Sequence, residues 1–160
     1  MLGALQAATV ATVSSSPRAL LVSPPVYDFA LYDLHMAPLG LHSVSRLLER
    51  AGWDVRRIDA LATDDAESRA QLGTPRRRPD GTGKFFRRRV PWPAARCPVE
   101  RAYGRYGIVE ESLRRRISAA FAPAAARAAP AGSGAGVRGF EPDLILVGTG
   151  MTYWYPGVAE

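Results

Sequence analysis

Residues 19–59 constrain the fold most, because they carry the pattern of a strand, a helix and a second strand. The apolar run at residues 19–23 ends at two prolines, as is typical of a strand buried on both faces. Leucine and valine then recur at helical spacing over residues 38–50, and Gly52 suits the position just after a helix. A short segment at residues 53–58 follows, with Val55 and Ile58 as its apolar positions. This order predicts two parallel strands joined by a right-handed helical crossover.

Two more elements follow the same logic. A helix is predicted over residues 109–121, because Glu110 and Glu111 favour its first turn and arginines follow later. A third buried strand is predicted at residues 143–148, and Pro156 suits the start of another helix. We therefore expect an α/β domain with an incomplete, open parallel sheet of about three strands, Rossmann-like or flavodoxin-like, and flanking helices. The core face of the helix at 109–121 should be Val109, Leu113, Ile117 and Phe121.

Three segments do not fit this pattern. Residues 1–18 are rich in Ala, Ser, Thr and Val and lack the features of a secretory signal, which predicts a flexible leader. Residues 73–108, the basic segment, contain five prolines and five glycines, and no regular element is expected there. Residues 122–139 are almost wholly Ala, Pro, Gly, Ser and Arg, which predicts a linker. Residues 19–160 then form one domain, which we expect to be truncated because its last helix has only begun.

Positive charge is concentrated in the basic segment. The chain carries a net charge of +6, whereas residues 73–108 alone hold ten basic and two acidic side chains. Interspersed aromatic residues could stack on nucleic-acid bases. An extension that crosses the protein surface accounts equally for this composition, and we favour it. We expect its charges to be solvated and any nucleic-acid binding to be weak and sensitive to salt.

Several functional classes are disfavoured by what the chain lacks. Its apolar runs are far shorter than the roughly 20 residues that span a bilayer, so no membrane segment is expected. Cys97 is the single cysteine, which rules out an internal disulfide and a cysteine-held cluster within the chain and suits a cytoplasmic setting. The acidic pair Asp64 and Asp65 lies in a polar stretch and is expected to face solvent.

Three stretches of the sequence form a distinctive set. They are Pro24-Pro-Val-Tyr-Asp-Phe-Ala-Leu-Tyr-Asp33 with Pro38-Leu-Gly-Leu41, Gly81-Thr-Gly-Lys-Phe85, and Pro142-Asp-Leu-Ile-Leu-Val147 with Met151-Thr-Tyr-Trp-Tyr-Pro-Gly157. Together they resemble a group of radical S-adenosylmethionine (SAM) proteins whose N-terminal region is a cobalamin (B12)-binding-like α/β domain. The three adjacent aromatic residues before Pro-Gly are the most specific part of the resemblance.

The resemblance implies a radical SAM barrel domain C-terminal to Glu160. There a Cys-x-x-x-Cys-x-x-Cys motif would bind the [4Fe-4S] cluster that cleaves SAM, and Cys97 is not carried over onto that motif. This chain would be the N-terminal fragment that positions a cofactor or substrate, without catalytic residues of its own. A stand-alone ligand-binding module and a nucleic-acid-binding protein remain the alternatives.

The candidate site lies where strands one and three end, because open parallel sheets bind ligands beyond the carboxyl ends of their strands. In the cobalamin binders, Asp-x-His-x-x-Gly supplies a cobalt ligand, and Asp33-Leu-His35-Met-Ala-Pro38 matches this pattern except that proline replaces the glycine. The same side chains could instead pack against the barrel domain. The candidate cofactor-binding residues are Tyr27, Asp28, Tyr32, Asp33, Thr149, Gly150, Met151, Thr152, Tyr153 and Trp154, with His35 as a possible cobalt ligand.

Overall fold

The described residues form two small sheets and three helices. The computed structural model describes residues 16–35, 37–91, 102–121, 140–148 and 156–160. Among these residues, no helix is both long and apolar enough to cross a bilayer. The strands are β1 Arg18–Ser23, β2 Val26–Asp28, β3 Asp54–Asp59, β4 Arg87–Arg89, β5 Gly104–Tyr106 and β6 Leu144–Val147, and the helices are α1 Leu39–Arg50, α2 Ala66–Leu72 and α3 Glu110–Phe121.

The larger sheet is parallel and has the order β3-β1-β6. Its central strand, β1, places Leu21 opposite Arg57 of β3 and Leu146 of β6. Leu20 and Leu21 are almost completely buried, because β1 has a strand on each side and packed side chains on each face. The predicted α/β architecture with a three-stranded parallel sheet is confirmed.

The two long helices pack on opposite faces of this sheet, because successive strand residues point to opposite sides. On one face, Leu113 of α3 joins Leu20 and Ile58 in the main hydrophobic core. On the other face, Leu41 of α1 lies so close to Gly148 that a Cβ at that glycine would collide with it. Phe121 was predicted to belong to the core but is 38% exposed, because it is the last residue of α3.

The expectation that the basic segment contains no regular element is wrong. Its strands β4 and β5 pair antiparallel with each other, and β5 also pairs with β2. This small sheet lies over the ends of the parallel strands, where Ile108 N donates to the carbonyl of Ala60 at 2.7 Å. No local pattern predicts this sheet, because each of its strands is three residues long and depends on partners distant in the chain.

Asp65 is buried, contrary to the expectation that it faces solvent. It is the N-cap of α2 and accepts hydrogen bonds from Ser68 N at 2.9 Å, Ser112 Oγ at 2.8 Å and Arg116 Nη2 at 3.0 Å. Burial acts to raise the pKa of Asp65, but these hydrogen bonds together lower it to about 2. The carboxylate therefore links α2 to α3, while its neighbour Asp64 is exposed as expected.

The segment at 122–139, which the sequence predicts to be a linker, lies outside the described residues, and the two residues that flank it are hydrogen-bonded to each other. Phe140 N donates to the carbonyl of Phe121 at 3.0 Å, so the chain leaves α3 and returns to the same place. Phe140 is buried beneath the guanidinium of Arg56, whose carbon lies 4.0 Å from the ring centroid. The contacts that fix both ends are thus made by residues outside the segment.

Replacing residues 122–139 with four glycine and serine residues should leave the fold intact. The free energy of unfolding should stay the same or rise by at most ~1 kcal/mol, because a shorter loop costs less entropy to close. Urea denaturation followed by circular dichroism measures this. As a control, the same replacement of residues 77–83 should destabilise the protein, since it removes the backbone pairing of Gly83. A loss above about 2 kcal/mol for the first variant would contradict the inference.

Candidate functional site

The candidate site is the carboxyl edge, meaning the end of the parallel sheet at which β1, β3 and β6 finish. Immediately after β1, the chain passes through Pro24 and Pro25 into β2, so the small sheet begins at this edge. Gly107 at its other end packs against Ala60, which directly follows β3. The small sheet therefore forms a roof over the carboxyl ends of β1 and β3.

Arg105 is the charged centre of this roof. Its side chain is 2% exposed, and Nε and Nη2 contact both carboxylate oxygens of Glu160 at 2.7–3.0 Å. Nη1 donates to the carbonyl of Ile108 at 2.6 Å. The hydroxyl of Tyr27 donates to the same Glu160 carboxylate. A buried guanidinium thus holds residue 160 against β2 and β5.

This cluster shifts the ionisation of its members in a consistent direction. Burial and the hydrogen bond to Glu160 raise the pKa of Tyr27 to about 12. Burial alone would raise the pKa of Glu160, but Arg105 and Tyr27 bind the carboxylate and lower it below its usual value. Tyr27 is therefore a neutral donor and Glu160 a charged acceptor at neutral pH. Of the candidate residues, Tyr27 is engaged within the protein.

Asp33 is also engaged within the protein. Its carboxylate pairs with Arg77 at 2.7 Å, and its backbone exchanges two hydrogen bonds with Gly83. Gly83 has a φ of 151°, and a Cβ there would lie 2.5 Å from the carbonyl oxygen of Arg76, so this position requires glycine. Asp33 therefore anchors the Gly81–Phe85 stretch, and its carboxylate is committed to a structural ion pair.

Asp28 and Tyr32 are the remaining candidate residues in the described part of the chain. Tyr32 is 38% exposed, and Asp28 is half-buried with Oδ1 accepting from Phe29 N at 2.6 Å. The rings of Phe29 and Tyr103 contact each other in a tilted arrangement with centroids 5.3 Å apart, which extends the aromatic surface beside β2. The exposed ring of Tyr32 offers a ligand a flat face.

His35 lies on an exposed turn next to this surface. Its backbone is left-handed, with a φ of 62°, and Leu34 before it is 69% exposed. The pKa of nearby Asp80 is lowered chiefly by hydrogen bonds from Thr82 and to a smaller extent by the charge of His35. Within the described part of the chain, no three His, Cys, Asp or Glu side chains cluster as a metal site.

The other half of the candidate site, the loop after β6, lies outside the described residues. It comprises Thr149, Gly150, Met151, Thr152, Tyr153 and Trp154. Both of its flanks lie at the carboxyl edge. Gly148 N donates to the carbonyl of Val22 at 2.9 Å, and Gly157 packs so closely on Pro25 that a Cβ would overlap its carbonyl oxygen. A single 3₁₀ turn starts at Pro156, where the sequence predicts a helix start.

The described arginines of the basic segment are mostly exposed, but several of them contact other parts of the protein. Arg88 pairs with Glu110, and the Arg87 guanidinium lies over the ring of Tyr106 at 5.4 Å. The expectation that this segment's charges are solvated is wrong for Arg105. All three residues of β4 are exposed. These contacts attach the described part of the segment to the rest of the protein.

Comparison with known proteins adds no relative: no family model, curated protein or solved structure matches the chain. The assignment of this site therefore depends on the geometry of the described residues and on the resemblance in the sequence.

Substitution of Glu160 by alanine should destabilise the fold. The variant leaves the buried Arg105 guanidinium without its carboxylate, which costs about 3 kcal/mol in the free energy of unfolding. Glu141→Ala is the matched control, because Glu141 is exposed, and its effect should stay within ~0.5 kcal/mol. Urea unfolding at neutral pH measures both.

The same ion pair predicts a pH dependence. Since the folded pKa of Glu160 is lowered, its stabilisation is present above the ordinary glutamate pKa and is lost as the pH falls through the folded value. The difference in stability between wild type and Glu160→Ala should therefore shrink under acidic conditions. Equal stabilities at neutral pH would contradict the role assigned to Arg105.

Proposed function

We propose that this chain is the N-terminal domain of a radical SAM protein. It would position cobalamin or, without a cofactor, form the substrate side of a barrel domain C-terminal to Glu160. The [4Fe-4S] cluster and SAM would belong to that barrel, so this domain would contribute binding and orientation. The resemblance in the sequence and the accessible surface at the carboxyl edge support the proposal.

One observation carries the proposal most strongly: the stretches that carry the resemblance are distant in sequence and adjacent in the fold. Asp33 pairs with Gly83, and Pro25 packs against Gly157. Chance similarity in three separate stretches gives no reason for them to share one location. Their convergence at the place where parallel sheets bind ligands supports a common functional surface.

The outward-facing side chains fit a large planar ligand. Tyr32 and Leu34 expose an aromatic and an aliphatic face, and the exposed imidazole of His35 lies next to them. Cobalamin would supply cobalt chemistry when bound, and His35 would be the residue that holds the cobalt. The same apolar surface fits interdomain packing, which is the form of the proposal without a cofactor.

Exposed apolar side chains on β6 support the part of the proposal in which the domain continues with a helix after this strand. Ile145 and Val147 of the edge strand β6 are 52% and 43% exposed. Their register with Leu20 and Val22 places them on the face that α3 covers elsewhere. A helix after β6 would bury these side chains. A coding sequence that continues in frame to Cys-x-x-x-Cys-x-x-Cys would support the proposal, whereas a native stop codon after Glu160 would favour the stand-alone ligand-binding module.

A protein extended through the barrel and loaded with its iron–sulfur cluster should perturb the absorption bands of hydroxocobalamin. Tyr32→Ala should weaken this binding at least ~5-fold, because it removes an exposed aromatic face worth about 1 kcal/mol. Leu47→Ala is the control, since Leu47 is exposed on α1. Comparing His35→Ala with His42→Ala separates cobalt coordination from packing. Unchanged corrin bands with the extended, cluster-loaded protein would contradict the cofactor claim.

A further inference from the structure

A groove runs along the outer side of β3, the edge strand of the parallel sheet. It has a volume of about 540 Å³ and lies between β3 and the second half of α3. Within the described residues, no strand pairs with this side of β3. The groove is separate from the carboxyl edge, and the proposed cofactor role makes no use of it. Its lining residues are Val55, Arg56, Arg57, Ile58, Arg116, Ala119 and Ala120.

The backbone of β3 presents a row of hydrogen-bonding groups to this groove. Asp54 N donates to Pro17 O and Ala60 N donates to Ser23 O, so the even-numbered residues of β3 face β1. Hydrogen bonding alternates along a strand, and Val55, Arg57 and Asp59 must therefore direct their N–H and C=O groups outward. An edge with this pattern can accept one more strand.

The side chains of the groove are strongly basic. Three of its seven lining residues are arginines, and none is acidic. Arg116 and Arg57 have carboxylate partners outside the lining, Asp65 at 3.0 Å and Glu49 at 3.7 Å. The Arg57 pair is exposed on both sides and therefore weak. Arg56 donates to the carbonyl of Ala120 in α3 and its guanidinium lies over the ring of Phe140, so its charge is held at a fixed place in the groove.

We propose that this groove binds an extended acidic peptide segment, which adds to β3 as a fourth strand. Backbone hydrogen bonds to Val55 and Arg57 would set its register, and acidic side chains would meet Arg56, Arg57 and Arg116. Asp54 and Asp59 at the two ends of β3 disfavour acidic groups there and centre the negative charge on the arginines. A nucleic acid could use the charge but not the alternating backbone groups, and so fits the groove less well.

A fluorescein-labelled peptide, Thr-Glu-Val-Glu-Val-Glu-Thr, tests this with the full chain by fluorescence anisotropy. Methylation of every second backbone nitrogen of the peptide, at the positions whose N–H groups would face β3, should weaken binding roughly 10-fold, while the charge of the peptide stays the same. Val55→Pro should have a similar effect, because proline removes only an outward N–H at this position. Arg57→Gln should weaken binding a few-fold, whereas Arg89→Gln on the exposed strand β4 should not.

Each result of these titrations either supports or overturns peptide binding at the groove. Loss of affinity on methylation of the peptide, together with weaker binding by Arg57→Gln, supports the proposal. If Val55→Pro fails to fold, the comparison of methylated and unmethylated peptides on the wild-type protein still decides it. Absence of peptide binding overturns it. So does equal binding of the methylated peptide, or tighter binding of a single-stranded oligonucleotide of matched charge. A dimer of this chain that Val55→Pro abolishes would assign the edge to a second copy and likewise overturn it.

Discussion

The fold depends on satisfying one buried charge, the guanidinium of Arg105. An ion of this kind is stable out of water only when a counter-charge and further hydrogen-bond acceptors surround it. Glu160 supplies the counter-charge and Ile108 the carbonyl. Ile108 is bonded in turn to Ala60 at the end of β3. One side chain therefore connects the last residue of the chain, the small antiparallel sheet and the parallel sheet.

This connection determines what the carboxyl edge can do. Parallel sheets leave that edge open for ligands, but here β2, β5 and β4 cover the ends of β1 and β3. The accessible surface is then displaced outward, to Tyr32, Leu34 and His35, and toward the end of β6. Residues that look like ligand-binding groups in the sequence divide into two sets. Tyr27 and Asp33 make contacts within the protein, while the ring of Tyr32 is exposed.

The sequence predicted the parts of the fold that depend on local apolar patterns. The three parallel strands and the helices α1 and α3 each show such a pattern. The small sheet depends on pairing across some 80 residues, and its arginines resemble a solvated stretch. Helix α2 was missed, although Asp65 as N-cap, Glu67 in the first turn and Gly73 after the end form a recognisable signal. The burial of Arg105 had no comparable signal, because a distant carboxylate makes it possible.

The described residues of the basic segment form a roof that is an integral part of the fold of the parallel sheet. Amide hydrogen exchange measured by NMR tests this most directly at Ile108, whose N–H bonds to Ala60 across the two sheets. If the roof is integral, Ile108 and Leu21 in β1 should exchange with similar free energies of opening, close to that of global unfolding. Exchange of Ile108 at the rate of an unfolded peptide, while Leu21 remains protected, would contradict the account.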